Sequence, residues 1–530
     1  MSEEVQSKKY NPYIIAIVAL LPAFLALAAS SATNVCQPNI AGYFGATQYE
    51  ANTVVTCYII SGGIMLPVTT YLANLFGQKQ YLIYCIIVFT LGCLFCILAT
   101  DLHMLILARL VQGIGSGSIL PICQATLLDA FPPEKRGVAM GLFGVAAMFS
   151  PLAGPYMGGY LTDNWSWQWV FIINIPLCIL SIILIKFILP ETKPIEKKYH
   201  KRFDIVGFTT ICLAMGCLQI VLDKGEQFNW FDTTWVCWTF GLSVFCFIFF
   251  YVWELEYKYP VIDIRVFKDR NFLYGTMISS FINLILYSTL LLVPMFVQSL
   301  LGYSPSMSGF SLFPRAIVCF IGLIVFGELS RFIEPRLLTT AGFLIMGGSV
   351  FWMSQLSTTA SLSTVIIPNI FLCIGVAAAF VPITALSFLT LPASKRVDAA
   401  SLHALFKNIV TAMSTALSAT FITRVTQVHQ GYLVDHLSWH NPMFRIHLTN
   451  LQHKFSTYYV PVYAAKKANG ALYKQMLTQA KLCSFHDVFL LLTFLAVMII
   501  PLIYMLKTSR MLKAKQTKEI PDNLLHHVVH

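Results

Sequence analysis

Uninterrupted apolar stretches of about twenty residues recur along nearly the whole chain, and this feature constrains the fold most strongly. A helix that crosses a bilayer needs about 20 mostly apolar residues, because its backbone polar groups must be paired internally. Fourteen such stretches are predicted, from the first at 13–33 to the last at 485–506. The sequence therefore predicts an all-α integral membrane protein with 14 transmembrane helices.

Composition agrees with this prediction. Only 11% of the residues are charged, whereas soluble domains have about 25%, and this excludes a soluble globular protein. The first apolar run starts at Tyr13 and has no small-residue cleavage pattern after it. We therefore expect a retained helix rather than a signal peptide.

The distribution of lysine and arginine predicts the orientation. Short cytoplasmic loops are enriched in these residues. With the N-terminus inside, cytoplasmic segments hold 23 of the 35, while the six short outer loops hold only Lys224. The net charge of +11 therefore follows membrane topology and does not require a nucleic-acid partner. We expect a multi-pass protein of the cell inner membrane with both termini in the cytoplasm.

Two similar inner loops, 70–79 and 327–336, indicate an internal repeat, because each closes a predicted helix and ends in a basic residue. These two loops would occupy equivalent positions in two six-helix halves that flank an inserted helix pair. Transporters built from such halves bind substrate near the midplane of the membrane. The predicted segments are a cytoplasmic N-terminus (1–12), an N-terminal six-helix bundle (13–189), an inserted helix pair with inner loops (190–271), a C-terminal six-helix bundle (272–506) with an outer, partly helical loop (421–484), and a cytoplasmic tail (507–530).

The fourth predicted helix contains an arginine and a glycine repeat, Arg109 to Gly117, with Gln112 between them. An arginine inside a membrane span is costly unless it faces a polar interior, so we expect a cavity or gating role for Arg109. The glycines favour close helix packing.

The fifth predicted helix contains the run Ser150 to Gly159. Pro155 removes a backbone hydrogen bond and bends the helix. Gly154, Gly158 and Gly159 allow a partner helix to approach closely, so we expect a helix-packing motif here.

These two runs resemble the R-x-x-Q-G-x-G and G-P-x-x-G-G motifs of the major facilitator superfamily. The runs 32–38, 218–225 and 298–304 are similar to its fourteen-helix multidrug:proton antiporters of the EmrB/QacA type, and the resemblance covers about 13–505. It implies two pseudo-symmetric six-helix bundles plus two inserted helices, alternating access, a small-molecule substrate, a cavity or gating role for Asn34, and for some members a periplasmic adaptor protein.

The chain departs from this family at mechanistically important positions. Ala29 stands where the family usually has an aspartate on the first helix. Asn74 and Gln78 replace charged positions of the loop after the second helix, and Lys407 stands where an arginine is usual.

Charges within the predicted spans are asymmetric. Arg109, Arg315 and Lys407 lie deep, Lys186 lies near a helix end, and the acidic residues lie at span ends. A cavity lined by these cations would favour anionic or zwitterionic substrates. The alternative is that they pair with backbone carbonyls or span-end acids and are structural.

His403 precedes Lys407 by one helical turn, so both lie on one helix face. Histidine titrates near neutral pH, which makes His403 the candidate for proton coupling. The alternative is a polar packing residue.

No metal site, cofactor or enzymatic activity is predicted. The 14 cysteines lie mostly in apolar runs, and the single C-x-x-C pair, Cys93 and Cys96, has no second pair. The sequence has no nucleotide-binding glycine loop with its lysine, which argues against ATP hydrolysis.

The leading hypothesis is a secondary active transporter that exports an amphipathic organic compound or drug in exchange for protons. A second hypothesis is a dedicated exporter or importer of a defined anionic metabolite, such as a chelator. A third is a non-transporting membrane receptor or scaffold, which the eroded loop at 70–79 and the outer segment suggest.

Overall fold

The computed structural model describes residues 11–132, 135–190, 204–257, 260–303, 305–392, 395–435, 437 and 440–506. Every regular element within these ranges is helical. Most of the predicted N-terminal segment 1–12, most of the inner loop after residue 189 and the predicted tail 507–530 lie outside the described residues.

The helices fall into a first half, an inserted pair and a second half. The first half consists of α1 (Pro12–Phe44), α2 (Gln48–Phe76), α3 (Gln78–Leu98), α4 (Leu102–Gly117), α5 (Ile119–Ala130), α6 (Arg136–Gly144), α7 (Ser150–Asn164), α8 (Trp169–Ile172) and α9 (Asn174–Ile188). The inserted pair is α10 (Ile205–Lys224) and α11 (Thr234–Glu256). The second half consists of α12 (Arg270–Ser299), α13 (Pro305–Leu329), α14 (Pro335–Ser354), α15 (Leu362–Ser387), α16 (Arg396–Asp435), α17 (Pro442–Ser456), α18 (Pro461–Met498) and α19 (Ile500–Ile503).

Thirteen helical segments of the described chain are long and apolar enough to cross a membrane. The fourteenth predicted span consists of α6 and α7, which a π-helical turn at Val145–Phe149 joins without a break. A π-helical turn widens the helix locally and is often found at functional sites. The predicted all-α fold is therefore confirmed, and α6 with α7 occupies the position of the remaining predicted span.

Side-chain caps mark several helix starts. Asn11 accepts a hydrogen bond from the Tyr13 backbone N–H at 3.0 Å. Thr47 and Glu50 form a reciprocal capping box at the start of α2. These caps satisfy backbone donors that have no partner within the helix, and so they stabilise the helix starts.

The fourth predicted span, 103–127, is interrupted between α4 and α5 at Ser118. The Ser118 hydroxyl accepts a hydrogen bond from Thr69 Oγ1 at 2.8 Å and lies 2.8 Å from the Tyr81 hydroxyl. Side chains of α2 and α3 therefore contact this turn, within a helical segment that runs from Leu102 to Ala130.

The predicted outer loop 421–484 differs most from expectation, because helices cover nearly all of it. α16 and α18 extend beyond the predicted spans 398–420 and 485–506, and α17 lies between them. His447 Nε2 lies 3.1 Å from Gln475 Oε1, which makes α17 and the start of α18 an antiparallel hairpin. We call α17 and residues 461–484 of α18 the outer hairpin.

The two halves meet through α2 and α5 against α16, and through α6 against α13 and α15. Arg396 forms an ion pair with Asp129 and donates a hydrogen bond to the Leu128 carbonyl at 3.3 Å. These contacts lie at the helix ends that the sequence predicts to be cytoplasmic. The inserted helix α10 packs against both α2 and α16.

Candidate functional site

A cavity of ≈ 210 Å³ lies between the two halves. We call it the central cavity. It is lined by α1, α2, α4, α5, α6 and the π-helical turn of the first half, and by α12 and α16 of the second half. Both halves therefore contribute to one site.

The walls of the central cavity differ in chemistry. The first half contributes mainly apolar side chains, including Leu27, Leu66 and Phe143, although Tyr58 and Gln124 also line it. The second half contributes a largely polar set: Asn283, Tyr287, His403, Ala404, Lys407, Asn408 and Thr411. The last five of these are spaced as one face of α16.

Lys407 lines the central cavity and is the only lysine or arginine among the described lining residues. Its Nζ lies 5.0 Å from the centroid of the Phe380 ring, a cation–π contact. No carboxylate is present among the described lining residues, and none in the described part of the chain forms an ion pair with Lys407.

His403 also lines the central cavity, one turn before Lys407. Its side chain is fully buried, and its ring meets the Phe388 ring edge-on with centroids 5.7 Å apart. Neither ring nitrogen has a hydrogen-bond partner among the described residues. Buried polar atoms are usually satisfied, so the two ring nitrogens are unused hydrogen-bonding groups in the cavity wall.

Arg109 lies behind the cavity wall rather than in it. Its guanidinium donates to Gln112 Oε1 at 2.5 Å and to the Val54 carbonyl at 3.3 Å. It also lies 4.2 Å from the Tyr58 ring centroid, and the Tyr58 hydroxyl donates to the Ala26 carbonyl at 2.8 Å. Arg109 therefore supports a residue that lines the cavity.

Arg315 is fully buried but is not a cavity-lining residue. It donates to Asn369 Oδ1 at 3.2 Å and to the Leu286 carbonyl at 3.1 Å, and so joins α13 to α15 and α12. Asn34 is exposed and also lies outside the lining set. Of the three deep cations expected from the sequence, the structure brings Lys407 alone to the central cavity.

The glycine motif on α7 lies against α1. A Cβ on Gly154 would lie 1.9 Å from Ser31 Oγ, and one on Gly158 would lie 2.6 Å from the Ala32 carbonyl oxygen. A Cβ on Gly159 would meet only Val35 Cγ1 at 3.7 Å. Pro155 lies within the helix between these contacts. Gly154 and Gly158 thus allow α1 and α7 to approach closely.

The sequence analysis missed several polar cavity residues. Gln124, Asn283, Tyr287 and Asn408 line the central cavity. Polar side chains in apolar spans are a signal that could have identified the two asparagines and the glutamine. Among the described residues, no group of three or more His, Cys, Asp or Glu side chains could hold a metal ion.

Sequence comparisons support this arrangement. The family profile of the Major Facilitator Superfamily matches residues 19–415. The probable multidrug resistance protein EmrY of Escherichia coli is 32% identical over 437 residues, which are 82% of this chain and 84% of EmrY. The E. coli multidrug export protein EmrB is 27% identical over 477 residues, which cover 90% of this chain and 91% of EmrB. The fatty acid resistance protein FarB of Neisseria gonorrhoeae is 29% identical over 419 residues, which cover 79% and 82%.

Two solved structures share the fold at low sequence identity. The human organic anion transporter MFSD10 matches with a TM-score of 0.55 and 13% identity, over 92% of this chain and 100% of MFSD10. The proton:xylose symporter XylE matches with a TM-score of 0.53 and 14% identity, over 89% of this chain and 94% of XylE. On its family profile and its EmrY and EmrB relatives, this chain belongs to the Major Facilitator Superfamily, in its EmrB-type branch.

Proposed function

We propose that this protein is a secondary active transporter that exports an amphipathic organic compound or drug in exchange for protons. The central cavity between the two halves is the observation that carries this proposal, because its walls combine apolar and polar side chains. The names of EmrB, EmrY and FarB, which refer to export of or resistance to organic compounds, support it. The lysine and arginine distribution supports an inner-membrane location with both termini in the cytoplasm.

His403 is the proposed proton carrier. It is fully buried, lines the central cavity and has two ring nitrogens without partners among the described residues. A substrate that fills the same cavity excludes the water through which a proton would reach the ring. Substrate and proton therefore occupy the cavity at different times, as exchange requires.

The remaining polar motif residues have supporting roles in this proposal. Arg109 and Gln112 fix the position of Tyr58 at the cavity wall, and Arg315 fixes α12 against α13 and α15. The Arg109–Tyr58 contact and the two Arg315 hydrogen bonds link different helices, whereas the Arg109–Gln112 hydrogen bond lies within α4. Asn34, which is exposed on α1, is the proposed gating residue for another conformation.

His403→Ala tests the proposed coupling. In proteoliposomes at saturating substrate, we expect loss of accumulation against a gradient, while substrate exchange without net proton movement continues. His453→Ala, which changes an exposed histidine of α17, is the matched control and should transport as the wild type does. Gradient-driven transport at the wild-type rate by His403→Ala would place the coupling site elsewhere.

The position of Lys407 in the cavity wall supports a second candidate function. In this alternative the protein is a dedicated exporter or importer of a defined anionic metabolite. A half-buried ammonium without a carboxylate partner among the described residues favours a ligand with negative charge. A deletion strain separates the two functions. General drug sensitivity would favour the first, whereas retention or loss of one anionic metabolite without drug sensitivity would favour the second.

We also propose that a periplasmic adaptor protein binds the outer hairpin. The turn between α17 and α18 exposes large side chains: Tyr458 is 80% exposed, Val460 69% and Tyr463 65%. The sequence from residue 436 to residue 486 contains lysines, arginine and histidines but no acidic residue. An exposed aromatic and basic surface of this kind is typical of a protein-binding site and fits an acidic partner.

A further inference from the structure

We propose that the loop between α10 and α11 is a conformational strap, which joins the outer ends of the two halves and releases from α16 when those ends separate. We call this loop, residues 225–233, the outer strap. It continues the run 218–225, to which the proposed function assigns no role. The attachment of the inserted pair to both halves does not depend on which compound the protein transports.

The start of the outer strap is attached to the first half. Thr56 Oγ1 of α2 donates a hydrogen bond to Asp223 Oδ2 at the end of α10, at 3.0 Å, and Lys224 Nζ lies 3.8 Å from the same oxygen. Thr56 is buried, and α10 packs against α2. A hydrogen bond to a charged acceptor is stronger than one between neutral groups. This contact therefore fixes the end of α10 to α2.

The middle of the outer strap is attached to the second half. The Trp230 indole N–H donates a hydrogen bond to Thr420 Oγ1 of α16 at 3.0 Å. Asn229 Oδ1 accepts a longer hydrogen bond, of 3.4 Å, from Arg424 Nη2, one turn further along α16. The outer strap therefore bridges α2 and α16 on the side that the sequence predicts to be outside.

Trp230 has a strained backbone. Asn229 and Trp230 both have a φ of 53°, and no other non-glycine residue in the described part of the chain has a positive φ. A bulky residue rarely adopts this region, and it remains there only where surrounding contacts hold it. Gly225 leaves room for the ring, because a Cβ there would lie 2.8 Å from Trp230 Cε3. Once the bond to Thr420 breaks, Trp230 can relax, so the outer strap has an attached and a released state.

The contacts with α16 are the weaker side of this bridge. They consist of one neutral hydrogen bond and one long hydrogen bond, both made by residues with a strained backbone. The contact with α2 has a charged acceptor. In alternating access the two halves move against each other, so the outer ends of α2 and α16 separate in one state. The outer strap then leaves α16 and stays with α2.

Hydrogen exchange, measured by mass spectrometry on the purified full-length protein in lipid nanodiscs without substrate, tests this strap. Trp230→Phe removes the indole donor, and Thr420→Val removes the acceptor while it keeps the shape of the side chain. Loss of one hydrogen bond should raise the exchange rate about 2- to 12-fold at the outer ends of α2 and α16, near residues 48–57 and 416–426. Exchange at the predicted cytoplasmic end, near residues 125–131, should not change, which distinguishes release of the strap from general loosening.

Trp235→Phe is the matched control, because the Trp235 ring packs on Phe228 within the inserted pair, with ring centroids 5.1 Å apart. This variant should exchange as the wild type does. The double variant Trp230→Phe/Thr420→Val should exchange no faster than the faster single variant, since both changes remove the same bond. If Trp230→Phe is not monodisperse, Thr420→Val alone is compared with the control.

Three outcomes would overturn the strap: wild-type exchange at both outer ends in Trp230→Phe and Thr420→Val, additive effects in the double variant, or an equal rise in Trp235→Phe. These measurements are independent of transport. A wild-type protein that moves no compound in proteoliposomes would reject the proposed function, whereas the strap would stand or fall on the exchange rates alone.

Discussion

At the scale of single residues, two neighbouring glycines of α7, Gly158 and Gly159, differ in the space around them. A Cβ at Gly158 would meet backbone atoms of Ala32, including Cα at 2.9 Å. Backbone atoms cannot rotate away as a side chain can, so α1 and α7 would have to separate. At Gly159 the nearest contact is an ordinary 3.7 Å to the Val35 side chain.

We therefore expect Gly158→Ala to destabilise the protein by about 1–3 kcal/mol, the usual cost of forcing extra volume into a packed contact. Gly159→Ala adds the same methyl group one position away and should have little effect. Thermal unfolding of both variants in the same detergent checks this. Equal unfolding temperatures for the two variants would show that the close approach of α1 and α7 is not required for stability.

The deep cations show where prediction from sequence ends. Their location inside spans could be predicted, because arginine and lysine interrupt apolar runs. Which of them faces the central cavity depends on how each helix is rotated about its axis, and packing sets that rotation. The guanidinium groups of Arg109 and Arg315 contact other side chains of the protein, Tyr58 and Asn369. Lys407 instead lines the central cavity.

At the scale of helices, apolar length predicted all fourteen spans but not their internal form. The turn at Ser118 and the π-helical turn at Val145–Phe149 leave no hydropathy signal. The helical content of the outer hairpin was also underestimated, because its helices are polar and basic. A polar helix has no apolar run, so the criterion that finds spans cannot find it.

The outer hairpin supports a prediction about the proposed adaptor. α18 starts 26 residues before Asp487, whose carboxylate lies 2.7 Å from His429 Nε2. At about 1.5 Å per residue the hairpin turn lies roughly 39 Å along α18 from that contact. Since the predicted span begins at residue 485, we expect Tyr463 to lie well outside the bilayer.

A photo-crosslinking residue in place of Tyr463 should therefore capture a protein from the space outside the membrane. The same residue in place of Tyr251, an exposed position on the spanning helix α11, is the control. Mass spectrometry of crosslinked cells identifies the product. A periplasmic adaptor found at position 463 and not at position 251 is the expected result, and an identical set of products at both positions contradicts it.

At the scale of the whole molecule, polar contacts and close helix packing join the two halves at the predicted cytoplasmic ends. Arg396 of α16 pairs with Asp129 of α5. Nearby, a Cβ on Gly141 of α6 would lie 2.6 Å from the Leu323 carbonyl oxygen of α13, so these helices are in close contact. Alternating access requires this end to open. The described conformation is therefore closed here, and the ion pair contributes to its stability.

Asp129→Asn tests that contribution, because it removes the charge attraction across the two halves and keeps the size of the side chain. A partly exposed ion pair contributes about 0.2–1 kcal/mol, so the population open at this end should rise about 1.4- to fivefold. Hydrogen exchange of α6 and of the C-terminal part of α13, measured by mass spectrometry, reports this opening. Glu328→Gln is the matched control, because Glu328 pairs with Arg331 at 3.0 Å within the second half. Faster exchange in Asp129→Asn alone is expected, since only that pair must break when the halves separate, and equal exchange in both variants would exclude a gating role for the pair.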